Sequence, residues 1–487
     1  MKRRDLFRLG GMALAQAGMA KLPLLAQDGM AMPMTSATAT PPGHADYTLR
    51  IAPVTVELAP DHILSTIGYN GTSPGPVLRM KEGKPVTVDI INDTDTPELV
   101  HWHGMLIPSA VDGAEEEGTP FVPPHGRSRI QITPGPAGSR WYHTHAMSMN
   151  DLHKGTYTGQ FGFVYVDGGN DPGHYDQELF LALRDWEPFF SGQMVDMDEM
   201  EDPTAPQPER PAVLNTAPSG LEVNSNTYSI NDKALGSGEP IRVREGQRVL
   251  FHFLNASAIE NRRIALAGHK FQVIALDGNP VPNPALLETL LLGAGERICA
   301  IVEMNNPGIW IMGAPEDDIR AAGLGVIVEY ANQHKQPQWI KPASLAYDLT
   351  LFGNNSGAAT PASQNVQPID MIFEKIPGGV GKFNIFLVNG KPYPHENEFV
   401  LHQGQRYRVT FRNRTDDAHP LHLHRHTWEV VDLNGKLTSG VIKDTVVVPF
   451  YGRASVEFTA NQPGLTLFHC HIQQHMDYGF KALFRYA

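Results

Sequence analysis

Residues 82–92 read Glu-Gly-Lys-Pro-Val-Thr-Val-Asp-Ile-Ile-Asn, and two similar segments follow at 245–255 and 403–413. In every copy a glycine precedes an asparagine by nine residues, and apolar positions alternate between them. Such alternation predicts a half-buried β-strand. The copies start 163 and 158 residues apart, so the repeating unit is a whole domain. A chain of 487 residues has room for about three such domains.

Histidine pairs follow the first and third copies at matched distances. Their members lie nine and eleven residues beyond the repeated asparagine, and a second set lies five and seven residues beyond a later glycine. Because residues two apart on a strand face the same side, each pair can direct two imidazoles at one point. The pairs are His101 with His103, His143 with His145, His422 with His424, and His469 with His471.

The middle copy has no histidines at these offsets. It carries Ile264 and Leu266 after its asparagine, and Gly313 and Pro315 after the later glycine. One His-X-His pair is most often structural, but four pairs at matched offsets in two repeats are not explained in that way. We therefore expect eight histidines to meet between the first and third domains and to bind metal.

Cys470 lies between His469 and His471, and His475 follows five residues later. Imidazole suits copper, and one cysteine with two histidines is the ligand set of a blue-copper electron-transfer centre. The second cysteine, Cys299, lies in the apolar run 298–302 and is predicted to be a buried free thiol.

Four motifs together resemble those of the multicopper oxidase (laccase) family: HWHG at 101–104, HTH at 143–145, HPLHLH at 419–424 and HCHIQQHMDYGF at 469–480. The match extends over nearly the whole chain after its leader. It implies an all-β fold of three consecutive cupredoxin-like Greek-key β-sandwich domains. We place them at residues 46–168, 176–331 and 343–487, with no copper ligands in the second.

The resemblance also implies four copper ions per chain. A type 1 copper would lie in the third domain, and a trinuclear cluster would lie between the first and third. The implied ligands are His419, Cys470 and His475 for type 1 copper, His101 and His422 for type 2 copper, and His103, His143, His145, His424, His469 and His471 for the type 3 pair.

Other positions carry expectations from the same resemblance. Asp112 matches an acid that serves as a proton relay, although Asp-Gly is also a common turn. Glu260, in the loop 258–262, resembles an acid that orients phenolic substrates. Phe480 stands where an axial methionine is usual, so the type 1 site should be three-coordinate and its potential raised. Arg425 replaces a frequent glycine without a clear reason, and His426 is expected to be structural.

The N-terminus resembles an export signal. Residues 1–26 contain Arg3-Arg4 before a mildly apolar stretch, which favours a twin-arginine leader over an ordinary secretory signal. Cleavage near Ala26 would move the net charge from −13 to about −17, which argues against nucleic acid as a partner. No other segment is apolar for long enough to span a membrane. We expect a periplasmic monomer from a Gram-negative-type bacterium.

The resemblance implies that O₂ is reduced to two waters by four one-electron oxidations of a small phenolic or aromatic donor. The alternative is a metallo-oxidase for Cu(I), Fe(II) or Mn(II). Thioethers select Cu(I), so Met194, Met197 and Met200, which lie among acids, could collect it, although a solvated acidic loop is the simpler explanation. A copper-free structural envelope protein is a third alternative, and the complete set of eleven ligands argues against it.

Overall fold

The computed structural model describes residues 43–169, 173–192, 219–354, 365–394 and 399–487. Within these ranges the strands form six sheets, arranged as three successive pairs that we call the first, second and third sheet pairs. This architecture confirms the predicted all-β cupredoxin-like fold. The predicted leader and the segment with Met194, Met197 and Met200 lie outside the described residues. Among the described residues, no helix has the length and apolar character needed to cross a membrane.

The first sheet pair has two four-stranded sheets. Their strand orders are β2-β1-β4-β6 and β3-β8-β7-β5. The strands are β1 (Tyr47–Ala59), β2 (His62–Tyr69), β3 (Leu78–Lys81), β4 (Val86–Asn92), β5 (Val100–His101), β6 (Arg127–Ile132), β7 (Gly138–Thr144) and β8 (Phe161–Asp167).

The second sheet pair has sheets of six and five strands. Their orders are β10-β9-β12-β17-β14-β15 and β11-β19-β18-β13-β16. The strands are β9 (Gln177–Ser191), β10 (Glu222–Ile230), β11 (Ile241–Val243), β12 (Arg248–Asn255), β13 (Arg262–Leu266), β14 (Phe271–Leu276), β15 (Asn279–Leu287), β16 (Thr289–Leu292), β17 (Arg297–Glu303), β18 (Ile309–Gly313) and β19 (Gly325–Tyr330).

The third sheet pair repeats the second. Its orders are β21-β20-β23-β28-β25-β26 and β22-β30-β29-β24-β27. The strands are β20 (Val366–Ile376), β21 (Ile385–Val388), β22 (Phe399–Leu401), β23 (Arg406–Asn413), β24 (His419–Leu423), β25 (Trp428–Leu433), β26 (Lys436–Lys443), β27 (Thr445–Val448), β28 (Arg453–Thr459), β29 (Leu465–Cys470) and β30 (Lys481–Tyr486).

Short helices connect some of these strands. In the second and third pairs a hairpin (β14-β15 and β25-β26) extends the larger sheet, whereas residues 102–126 of the first pair form α1 and a 3₁₀ helix instead. The helices are α1 (Ser109–Asp112), α2 (Asp317–Ala321) and α3 (Gln473–Asp477), with 3₁₀ helices at Glu115–Glu117, Gly155–Tyr157 and Leu349–Phe352.

The repeated asparagine has the same structural role in all three pairs. It ends β4, β12 and β23, and its Nδ2 donates to two or more carbonyl oxygens of the loops beyond, at 2.6–3.2 Å. Its Oδ1 accepts from the backbone N–H two residues later in every copy. The repeated glycines, Gly83, Gly246 and Gly404, adopt φ between +70° and +83°, which suits a tight turn before the strand.

Apolar side chains fill the space between the two sheets of each pair. In the first pair, Leu49 and Val88 of one sheet share a core cluster with Tyr142 and Val164 of the other, and all four are fully buried. A larger core cluster extends through the second and third pairs. These cores hold the strand ends that carry the histidine pairs: His101 is paired in register with His143, and His422 with His469.

Candidate metal centres

Three side chains of the third sheet pair converge on a common point. His419 begins β24, Cys470 ends β29, and His475 lies in α3. The Cys470 Sγ lies 3.6 Å from Nδ1 of each histidine, and the two Nδ1 atoms lie 3.2 Å apart. All three residues are buried. The geometry supplies one sulfur and two nitrogen ligands to a single ion.

Neighbouring groups orient these ligands. The Nε2–H of His419 donates to Thr415 Oγ1 at 2.7 Å, which leaves Nδ1 directed at the sulfur. The Phe480 ring centroid lies 4.6 Å from that of His419, and Phe386 lies 4.0 Å from the ring of His475. Phe480 is fully buried and has no ligating atom, in keeping with a three-ligand site.

Eight further histidines form a second, larger cluster between the first and third sheet pairs. The Nε2 atoms of His101 and His422 lie 3.4 Å apart. The Nε2 of His469 lies 3.4 Å from that of His145 and 3.1 Å from that of His424. Several triplets within the cluster could each hold an ion. The predicted convergence of the four histidine pairs is therefore present in the geometry.

Most rings of the cluster are oriented through Nδ1, which leaves Nε2 directed inward. His101 and His422 donate from Nδ1 to the carbonyl oxygens of Asp112 and Asp444, at 2.9 and 2.8 Å. His143 and His469 donate from Nδ1 to the carbonyl of the next residue, at 2.7 and 2.8 Å. Such hydrogen bonds fix the tautomer and leave the other nitrogen available to a metal.

His103 is held through its other ring nitrogen. Its Nε2–H donates to Asp444 Oδ1 at 3.0 Å and lies 3.1 Å from Thr445 Oγ1. Its buried Nδ1 has no hydrogen-bond partner in the described part of the chain. The same is true of Nε2 of His143 and of both ring nitrogens of His471. Buried polar atoms without partners are rare. The His103 ring centroid lies 5.8 Å from that of His143 and 5.2 Å from that of His471, so one metal ion could satisfy all three residues.

Burial keeps these ligands in the form that binds metal. Desolvation lowers the pKa of the buried histidines, in most cases well below the ordinary value, and neighbouring imidazoles lower it further. The pKa of His469 is lowered to about 3 by the same burial. Burial also raises the pKa of the Cys470 thiol, so the thiolate needs a cation beside it. A metal ion supplies that charge when it displaces the proton.

Asp112 lies beside the cluster, as the sequence predicts, and is fully buried. Its Oδ2 accepts from Nδ1 of His424 at 2.8 Å and lies 3.2 Å from Nδ1 of His101. Its Oδ1 is buried without a hydrogen-bond partner among the described residues. One carboxylate therefore contacts a histidine from each side of the interface.

The structure gives Arg425 a role that the sequence did not show. Its backbone has φ +56°, a conformation that glycine adopts more easily, which accounts for the glycine usual there. Its buried side chain lies 3.3 Å from Glu117 Oε2 and donates to carbonyls of the segment 462–465. Glu117 in turn accepts from the backbone N–H of Leu467 at 2.6 Å and lies 3.5 Å from Nδ1 of His424. This buried pair joins the first and third sheet pairs beside the cluster.

The second sheet pair also reaches the cluster. Arg297 donates to both carboxylate oxygens of Asp444, at 2.7 and 2.5 Å, and this guanidinium overcomes burial to lower the pKa of Asp444. Asp277 accepts from the backbone N–H groups of Asp444 and Thr445 at 3.2 and 3.1 Å. A Cβ at Gly104 would clash with Asp444 and lie 2.7 Å from Arg297, which explains the glycine of the HWHG motif.

A cavity lies against His475, where all three sheet pairs meet. The side chain missed by the sequence is Glu222, whose Oε2 lies 4.0 Å from Nε2 of His475. Burial and the nearby Asp417 raise the pKa of Glu222 to about 8. The predicted Glu260 lines the same cavity, but its Oε2 lies 2.5 Å from Nη1 of Arg262. Lining residues include Tyr157, Glu222, Val223, Ala258, Ile259, Glu260, Asp417, Ile472 and His475.

No spacing pattern marks the acids that the sequence missed. Glu222 begins β10, Asp417 follows Asp416 in a loop, and Glu117 ends the acidic 3₁₀ helix Glu115–Glu117. The one weak signal is at Lys443-Asp444, a charged pair inside the apolar run 441–448. Buried charges in such a run usually require partners, and here those partners come from the second sheet pair.

Comparisons with known proteins agree with this geometry. Three family models described as multicopper oxidase match residues 50–171, 198–333 and 363–487. The multicopper oxidase MmcO of Mycobacterium tuberculosis is 29% identical over 443 residues, covering 88% of this chain and 84% of the relative. The iron transport multicopper oxidase FET3 of Candida albicans is 22% identical, covering 87% of this chain and 74% of the relative. The crystal structure of a multi-copper oxidase from Pseudomonas thermotolerans superposes with a TM-score of 0.68 at 24% identity, covering 91% of this chain and all of that one.

Proposed function

Because the chain belongs to the multicopper oxidase family, we propose that it couples four one-electron oxidations of a phenolic or aromatic donor to the reduction of O₂ to two waters. As a member of this family it is an oxidoreductase that uses copper and O₂. The observation that carries the donor proposal is Glu222, 4.0 Å from His475 in a largely apolar cavity. An apolar lining suits an aromatic donor, and a carboxylate there can take the phenolic proton.

The proposed metal content is four copper ions per chain. Copper at these sites would take electrons singly from the donor and deliver them to O₂. The unpartnered nitrogens of His103, His143 and His471 support this assignment. The proposed ligands are His419, Cys470 and His475 for type 1 copper, His101 and His422 for type 2, and His103, His143, His145, His424, His469 and His471 for the type 3 pair.

Two features of the chain serve the transfer of electrons and protons in this proposal. Cys470 is covalently continuous with His469 and His471, so the sulfur of one centre is joined through the backbone to ligands of the other. Asp112 would hold and release protons beside the cluster, since its Oδ2 contacts two ligand histidines and its Oδ1 is left without a partner. We also keep the predicted domain bounds, the twin-arginine leader, the periplasmic location and the monomeric state as parts of the proposal.

A metallo-oxidase is the second candidate, and a group of acids favours it. Burial and the charge of Asp417 raise the pKa of Glu222, which lies at the edge of His475. Lys375 forms a salt bridge with Asp417 at 2.9 Å and also contacts Asp416. Carboxylates at the point of electron entry would suit a metal-ion donor such as Fe(II). The Candida albicans relative, named for iron transport, agrees with this alternative.

Paired variants at the cavity separate the candidates. Glu222→Gln and Glu260→Gln each keep the size of the side chain but remove its ability to accept a proton. For a phenolic donor we expect one of them to lower kcat/KM by about tenfold or more, with Cu(I) and Fe(II) rates unchanged. Steady-state rates with a phenol, Cu(I) and Fe(II) measured side by side identify which acid acts.

A metal donor would give the opposite result. The Glu222→Gln variant would then raise KM for Fe(II) or Cu(I) more than it lowers kcat, and phenol oxidation would be retained. If neither variant changes any rate, the cavity beside His475 is not the donor site. A fully reconstituted protein that binds one copper or none would overturn the oxidase proposal itself and favour a structural role.

A further inference from the structure

A third group of reactive side chains lies in the second sheet pair, at none of the proposed copper-ligand positions. Cys299 in β17 and His252 in β12 are register partners in the larger sheet. The Sγ of Cys299 lies 3.1 Å from Nδ1 of His252. The other ring nitrogen, Nε2, lies 3.1 Å from Oε1 of Glu178 in β9. The thiol and the carboxyl group thus contact opposite nitrogens of one imidazole, which can act as a base.

The base and the acid are both held in place. The His252 ring stacks on Phe180, with centroids 4.4 Å apart and planes 9° apart. Glu178 forms a salt bridge with Arg79 of the first sheet pair through its second oxygen. A nucleophile within hydrogen-bonding reach of a base that is itself oriented by a third group is the general arrangement of an activated nucleophile.

The electrostatic surroundings favour the protonated form of His252. Burial opposes protonation of His252, but the adjacent sulfur and Glu178 outweigh it and raise the pKa of His252 to about 9. A protonated imidazole next to a sulfur stabilises negative charge on it. Arg297, two residues before Cys299 on the same strand, adds a further positive charge on the same face.

We propose that Cys299 is a modification site: a nucleophilic thiol, activated by His252 and Glu178, that reacts with small hydroperoxides. The thiolate sulfur attacks one peroxide oxygen, an S–O bond forms and the O–O bond breaks. The leaving group, hydroxide from hydrogen peroxide or alkoxide from an organic hydroperoxide, takes the proton of His252 and departs as water or alcohol. The sulfur is oxidised by two electrons to a sulfenic acid, and the peroxide is reduced.

Access to the sulfur is narrow. Cys299 is 5% exposed, whereas Arg79 is more than half exposed and Glu178 partly so. Small reagents should therefore reach the sulfur more readily than bulky ones. Cys470 is the chain's other cysteine and is fully buried between histidines, so it should not compete in the copper-loaded protein.

The experiment measures thiol modification in the copper-loaded enzyme at pH 7. The protein is treated with hydrogen peroxide and trapped with dimedone, or treated with iodoacetamide alone, and the modified residue is followed by mass spectrometry. We expect modification at Cys299, and a rate in His252→Gln that is lower by about tenfold, since an unassisted thiol is only a few per cent thiolate at neutral pH. Cys299→Ala supplies the background.

Matched variants keep the result interpretable. His269 is another buried histidine of the second sheet pair and lies 2.6 Å from the Tyr330 hydroxyl, so His269→Gln should leave the Cys299 rate unchanged. Glu178→Gln gives a second test if His252→Gln does not fold, and retained blue colour reports intact folding in each variant. Equal rates in the parent and in the folded His252→Gln or Glu178→Gln variant, or no modification of native protein, would overturn the proposal. Neither outcome depends on the identity of the electron donor.

Discussion

The second sheet pair and the third have the same strand order, the same asparagine hydrogen bonds and a cysteine each, yet their chemistry differs. The third carries His422 on β24 and His424 just beyond its end, whereas the equivalent β13 carries Ile264 and Leu266 inside an apolar core. The repeated topology therefore does not itself create a metal centre. A few side chains at the ends of the strands do so, and the fold holds them without further change.

The second sheet pair nevertheless contacts the histidine cluster and helps to position its side chains. Arg297 and Asp277 hold Asp444, which sets the orientation of His103. Gly295 lies so close to the His471 ring that an added Cβ would come within 2.7 Å of it. The second sheet pair therefore contributes electrostatics and shape to the cluster, while the first and third contribute its histidines.

The largest effect is expected at the two cysteines. Cys470→Ser should abolish the blue colour and the oxidase activity, because the thiolate that binds type 1 copper is lost, while the trinuclear cluster stays largely loaded. Cys299→Ser in the second sheet pair should keep both properties. Visible absorption, copper analysis and oxidase rates measure the difference. If Cys470→Ser remained blue, the division between the pairs would be wrong.

Arg297→Gln tests whether the second sheet pair affects copper binding at the histidine cluster. Asp444 would lose its main cation and His103 its fixed orientation, so we expect copper affinity at the cluster to fall about 10–100-fold, with the blue site retained. Copper content and electron paramagnetic resonance measure this. Arg297→Lys keeps the positive charge but lacks the paired donors, so its copper affinity should lie between those of the parent and Arg297→Gln. A full complement of cluster copper in Arg297→Gln would show that the second pair is only a spacer.

Phe480→Met alters the third sheet pair alone. A thioether beside His419 would add a weak fourth ligand and stabilise Cu(II) more than Cu(I), so the type 1 potential should fall. The volume change is modest, and we expect the protein to remain folded. A redox titration checks the direction of the shift. A rise or no change would mean that position 480 does not face the copper.

The smallest effect is expected in the acidic, methionine-containing segment. Replacing Met194, Met197 and Met200 together by Leu keeps the apolar bulk and removes the sulfur donors. If this segment captures Cu(I), KM for Cu(I) should rise by a few fold and kcat should change less, with phenol rates as the control. Unchanged Cu(I) kinetics would show that these methionines do not capture Cu(I).

The fold and the convergence of the histidine pairs could be predicted from the sequence because they follow regular patterns. The repeated glycine-to-asparagine strand indicated three domains, and the family matches and the sheet topology confirm that fold class. The His-X-His spacing indicated which side chains would face one point. Cys299 was predicted to be a buried free thiol, and it is buried and forms no disulfide.

The supporting charges could not be predicted in the same way. Arg297 and Asp444 lie 147 residues apart, and neither lies in a periodic motif, so only the folded chain brings them together. Glu222 and Glu260 line the same cavity, but sequence spacing cannot show that Arg262 holds Glu260. Arg425 looked anomalous because its partner, Glu117, belongs to the first sheet pair, in the segment that replaces a hairpin.

The position of the histidine cluster has a consequence for biosynthesis. His101 and His422 are 321 residues apart, so almost the whole chain must be made and folded before their rings can meet. Nascent fragments cannot assemble the cluster. Copper can therefore bind there only after the first and third sheet pairs have both folded. Copper bound there as proposed would join residues of the first and third sheet pairs through shared ions, so metal loading should make their unfolding more cooperative.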